Sequence, residues 1–103
     1  MKRGSTPTFT FEIPFDVNMI RNLFVTIKQT FRTETIQVDK TMEQCEMQDN
    51  QISCILTQED TLKFKQNRNA SVQLRVLTTG NNSLVSDVFT VRIDELLKEG
   101  VIE

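Results

Sequence analysis

The sequence predicts an all-β protein built as an antiparallel sandwich of about seven strands. Apolar and polar residues alternate over most of the chain, the period expected of a strand with one buried face. The strand signals recur about every 8–12 residues, too close for a helix between each pair. Helical character is confined to short capped turns. At 103 residues the chain forms one domain, residues 1–103, with enough length to bury a real core.

Each element follows from local pattern. In "TFTFEI" Phe9, Phe11 and Ile13 share one face, with Thr8, Thr10 and Glu12 on the other. Pro7 and Pro14 bracket this strand, which suits a sheet edge. Residues 1–6 before it are expected to be flexible. "DVNMIRN" reads as a single helical turn with Asp16 as N-cap. "LFVTIKQ" then turns Leu23, Val25 and Ile27 inward, and "TIQVDK" does the same with Ile36 and Val38.

In "QISCILT" Ile52, Cys54 and Leu56 share a face, while Ile55 implies some cover on the opposite side. Thr57 and Asp60 form a weak capping box that starts one helical turn in "TQEDTLKF", and "NRNA" follows as a loop. "SVQLRVLTT" and "SLVSDVFTVRI" are the longest strand signals, joined through Gly80, Asn81 and Asn82. A four-residue loop would set Leu74 opposite Phe89 and Val72 opposite Val91. It would also set Val76 opposite Asp87, which calls for a bulge near Ser86 and Asp87. Residues 94–103 are expected to form a short C-terminal helix or tail, with Asp94 as N-cap and Gly100 as its stop.

The stretch "CEMQDNQISC" bears on compartment. With Asp49 and Asn50 as the centre of a type I′ turn, Met47 faces Ile52 and Cys45 faces Cys54. Counting outward, the cysteines fall on a non-hydrogen-bonded pair, where Cα atoms lie ~4.5 Å apart. A disulfide is therefore geometrically open. The shared face also carries Met47, Ile52 and Leu56, so the expected state is a pair of buried, reduced thiols. Metal is a poor fit, because two thiolates without histidine half-fill a zinc site.

Composition excludes much of the rest. The chain has no histidine, the usual general base and commonest metal ligand. Acidic pairs such as Glu43 and Glu46, or Glu59 and Asp60, read as solvated charges. Neither catalysis nor any cofactor is expected. Net charge is −2 with no basic block, which argues against nucleic acid. No apolar run reaches the ~20 residues of a membrane span. "MKRGSTPT" lacks the apolar stretch of a signal peptide, so a reducing cytoplasm is the expected compartment. "NAS" at Asn69 and "NNS" at Asn81 are then loop chemistry and not glycosylation sites.

Several apolar residues remain as candidate contacts. Phe24 alternates opposite to Leu23 and Val25, so it is either covered by a second layer or presented to a partner, with Phe31 near the next turn. Val88 and Thr90 point outward from the long last strand, which is poorly defended if it lies at an edge. Leu96 and Leu97 either close the end of the sandwich or dock on a neighbour.

Three stretches carry a resemblance: "RGSTPTFTFEIPFD", "ISCILTQEDTLKF" and "VQLRVLTTGNNSLVSDVFTVRIDELL", together about half the chain. They resemble short immunoglobulin-like β-sandwich proteins of the tail or baseplate regions of phages and prophages of Gram-positive bacteria. The resemblance implies a non-enzymatic structural or adaptor protein, made in the bacterial cytoplasm and assembled into a virion. It implies other phage structural proteins as partners, or self-association. The alternative is a small module that binds a cell-wall carbohydrate or host surface. Absence of Trp and Tyr counts against it, because sugars stack best on those rings.

Overall fold

The computed structural model describes residues 1–96 and 100–103. Its strands are β1 (Thr8–Glu12), β2 (Ile20–Phe31), β3 (Glu34–Thr41), β4 (Cys45–Gln48), β5 (Gln51–Ile55), β6 (Arg68–Thr78), β7 (Ser83–Val85) and β8 (Phe89–Ile93). One short helix, α1 (Gln58–Leu62), and two 3-10 turns, Val17–Met19 and Met42–Gln44, join them. The strands form two antiparallel sheets. One is three-stranded in the order β1-β5-β4; the other is five-stranded, β3-β2-β6, with β7 and β8 both on the free side of β6.

Alternation in the sequence becomes packing here. Leu23, Val25 and Ile27 of β2 and Val72, Leu74 and Val76 of β6 are buried, paired as Val25 with Leu74 and Ile27 with Val72. Opposite them lie Phe11, Ile52, Cys54 and Leu56 from the smaller sheet and its flank, in the same apolar core. Phe89 reaches across from β8, its ring centroid 6.1 Å from Phe9 and 5.9 Å from Phe11.

The turns hold as local chemistry dictates. Asp16 caps the first 3-10 turn by accepting from the Asn18 N–H at 2.8 Å. Thr57 and Asp60 make the reciprocal capping box of α1, at 2.9 and 3.1 Å. Beyond α1, Phe64 folds fully into the core.

Several expectations need correction. The described residues form eight strands, because the last long signal breaks in two at Ser86. β6 starts at Arg68, so Arg68, Asn69 and Ala70 of the expected loop are strand residues. The β6–β7 hairpin closes more tightly than a four-residue loop. Thr78 N–H donates to Asn82 O and Asn81 N–H to Thr78 O, with Asn81 left-handed at φ 62°. That is a three-residue loop in which asparagine fills the position glycine usually takes. Val76 therefore faces Leu84, Val72 faces Phe89 and Ala70 faces Val91.

Between β7 and β8 the register slips by one residue, at the Ser86–Asp87 position where a bulge is expected. The Ser86 hydroxyl accepts from the Leu74 N–H at 2.9 Å, standing in for a strand carbonyl. In the β4–β5 turn only Asp49 takes a positive φ, where type I′ needs two. The turn's carbonyls are recruited elsewhere: Ile13 N–H donates to Asn50 O and Val17 N–H to Asp49 O.

The chain ends differ as well. Residues 1–6 are tied down: Arg3 donates from Nε to Phe64 O at 2.7 Å and from Nη2 to Leu62 O at 3.0 Å, closing the C-terminal end of α1. Asp94 donates its backbone N–H to Met1 O and forms a parallel bridge with Lys2. Residues 100–103 are not helical, and Gln58 holds Ile102 through its N–H and carbonyl. The centre of the expected C-terminal helix, residues 97–99, lies outside the described residues.

Three buried polar side chains, Gln29, Lys40 and Thr78, sit on the core side of the larger sheet. Gln29 is 1% exposed and bonds both backbone groups of Lys65, donating to its carbonyl at 2.9 Å and accepting from its N–H at 2.7 Å. Leucine there would leave both groups without that partner. Gln29→Leu is expected to lower stability by ~1–3 kcal/mol, read as an earlier urea midpoint at unchanged slope. Lys40 on β3 pairs with Asp60 of α1, both nearly buried.

Candidate protein-contact surface

Two of the exposed large apolar residues, Phe24 and Val85, share the outer face of the five-stranded sheet. Side chains on that face follow from the register. Phe24 pairs with Arg75 and Arg75 with Val85, so the three lie in one row; Asn22, Leu77 and Ser83 form the next. Phe24 is 44% and Val85 49% exposed, and Leu77 in the next row is half-buried. Asn22, Phe24, Arg75, Leu77 and Ser83 line an open hollow of about 300 Å³. Apolar floor and polar rim together suit contact with another protein's side chain.

Among the described residues no layer covers Phe24. The N-terminal strand that would have supplied one packs instead on β5, in the other sheet. Val88 is 56% exposed at the break between β7 and β8, and Thr90 is exposed on β8 opposite Ser71. Both belong to the edge beside the hollow, since β7 and β8 pair only with β6 among the described residues.

Other sequence-level candidates lie elsewhere. Phe31 falls on the inner-face row at the far end of β2, seven positions from Phe24 and thus ~23 Å away. Its ring carries the Arg68 guanidinium at 3.5 Å, with Arg32 and Lys65 at 5.1 and 5.9 Å. Cation–π contact occupies that ring, so it is not open apolar surface. Leu96 is half-buried near Gly4, whose Cβ position lies 3.3 Å from the Leu96 Cδ2. Leu97 lies outside the described residues.

Sequence reasoning missed Leu77 and Val85. Leu77 was detectable, since it sits out of phase with Val72, Leu74 and Val76. Val85 was not, because the slip at Ser86 reverses the facing of residues on its two sides.

The edge is also less open than its length implies. A continuous strand from Ser83 to Ile93 would present a long row of unpaired backbone groups. The break at 86–88 shortens it to segments of three and five residues. The smaller sheet shows one exposed apolar residue on its outer face, Ile55 at 47%, among threonines, serine and glutamates.

Cys45 and Cys54 stand opposite each other across β4 and β5, both free thiols. Cys54 is fully buried. Cys45, on the edge strand, is only half-buried, a correction to the expectation of two buried thiols. Burial pushes the Cys54 thiol up to about 12, with the neighbouring Cys45 adding to it. Burial also raises Cys45, against the opposing effects of the Cys54 hydrogen bond and the Lys40 charge.

Among the described residues no group of three or more acidic or thiol side chains is placed to hold a metal ion. No described helix is long and apolar enough to cross a membrane. Comparison with protein-family models, curated proteins and solved structures finds no match to this chain.

Proposed function

We propose that the protein is a non-enzymatic structural or adaptor module that works through protein–protein contact. The observation that carries this reading is the uncovered row Phe24–Arg75–Val85 over Leu77, beside the free β7–β8 edge. The resemblance to immunoglobulin-like proteins of phage tail and baseplate regions supports it and supplies the partner class: other tail proteins, or further copies of this chain. The blunted edge favours face-to-face docking over strand addition. Phe24 would enter as an anchor, with Val88 and Thr90 at the rim.

Burying an exposed phenylalanine ring stabilises by ~1.5–3 kcal/mol. Phe24→Asp should therefore weaken association by about tenfold to a hundredfold. Fold stability should change by less than ~0.5 kcal/mol, as for other surface substitutions. Such contact is apolar, so it should depend weakly on salt. Light scattering of the pure protein and pull-down against the products of neighbouring genes test the reading. A monomer that binds none of them, yet binds a purified cell-wall glycan, would overturn it in favour of the carbohydrate-binding alternative.

A further inference from the structure

The cysteine pair has the layout of a two-step thiol exchanger: one cysteine half-buried on an edge strand, the second fully buried directly opposite it. Cys45 lies on β4, the outermost strand of the smaller sheet, and is half-buried. Cys54 lies on the central strand β5 and is 0% exposed. Directly opposite residues of an antiparallel pair share a face, so both sulfurs point the same way. The pair is non-hydrogen-bonded, with Cα atoms ~4.5 Å apart, inside the range a disulfide spans. No backbone rearrangement is needed to join them.

We propose that Cys45 and Cys54 form a reversible disulfide site, with Cys45 capturing a low-molecular-weight disulfide and Cys54 resolving it. In the first step Cys45 loses its proton to solvent. The thiolate attacks one sulfur of the small disulfide, forming a mixed disulfide and expelling one thiolate, which takes up a proton. In the second step Cys54 loses its proton as its sulfur attacks the Cys45 sulfur, and the other half leaves as a thiolate that takes up a proton. The two protein thiols are oxidised by two electrons, and one small disulfide becomes two small thiols. Raised thiol pKa values make both steps slow at neutral pH and faster as pH rises, because the thiolate is the nucleophile. In a reducing compartment the pair stays as two thiols. After transfer to an oxidising one it would close, tying edge strand β4 to the centre of its sheet.

Oxidised glutathione is the probe, added at pH 8 to the intact folded chain, with iodoacetamide quenching and mass measurement of the whole protein. Wild type should lose two hydrogens and carry at least about tenfold less bound glutathione than Cys54→Ala, since the adjacent thiol acts at high effective concentration. Cys54→Ala should hold glutathione on Cys45. Cys45→Ala should stay unmodified while folded, because Cys54 is enclosed. Wild type that accumulates the glutathione adduct, or a Cys45→Ala protein that reacts as fast as wild type, would overturn the proposal. So would wild type that remains two free thiols under conditions that oxidise the unfolded chain.

Discussion

Asp60→Ala should lower the stability of the folded protein by ~3–5 kcal/mol, the cost of leaving a buried charge without its partner. A domain of this size has only ~5–10 kcal/mol to lose, so the variant should be close to unfolding at room temperature. Two roles meet in this carboxylate. It faces the Lys40 ammonium, whose side chain is 8% exposed, and accepts the Thr57 N–H at the start of α1. Removing both charges, with Lys40→Met beside Asp60→Ala, should cost less than Asp60→Ala alone. That non-additivity distinguishes an uncompensated charge from simple loss of a cap.

The same pair predicts a pH dependence. Burial by itself would raise the Asp60 carboxyl, but Lys40 and the Thr57 N–H and hydroxyl outweigh it and hold the group below its ordinary 3.8. A folded-state value below the unfolded one means the contribution is fully present above the unfolded value. It is lost as pH falls through the lower folded value. Urea midpoints should therefore be flat near neutrality and fall below about pH 4. The fall should be shallower in Asp60→Asn. An equal slope in that variant would assign the acid sensitivity to other carboxylates.

Phe64→Ala should cost ~3–5 kcal/mol, as large aromatic truncations in closed cores do. Phe64 is 1% exposed and is the largest fully buried side chain. It enters the core from the short segment between α1 and β6, and its carbonyl receives the Arg3 side chain. Losing the ring would therefore open a cavity and loosen the segment that carries the Arg3 contact. Phe64→Leu should lose much less, because leucine refills part of that volume. Denaturant unfolding of the two variants checks this, and equal losses would assign the effect to the backbone segment and not to the cavity.

The fold class, the inward faces of β1, β2, β5 and β6, and the capped turns at Asp16 and Thr57 were legible from alternation and capping residues. Both signals are local. A strand declares its face every second residue, and a cap acts within three. The facing of Cys45 and Cys54 was legible for the same reason, since a two-residue turn sets the pairing of everything outward from it. The contact surface was legible only at Phe24, whose phase against Leu23 and Val25 marks it as outward. Phe31 misled because its cover comes from Arg68, far along the chain.

What the sequence by itself determined is therefore most of the strands and the buried faces of β1, β2, β5 and β6. Tertiary structure decided three further things. The left-handed turn at Asn81 and the slip at Ser86 set which side of the sheet Val85 occupies, and so assembled it with Phe24 and Leu77. Pairing of β1 with β5 left Phe24 uncovered. The Lys40–Asp60 and Gln29–Lys65 contacts joined residues 20 and 36 positions apart. All three depend on which strands meet and in what register, and register is a balance of many small non-local terms that no single window of sequence contains.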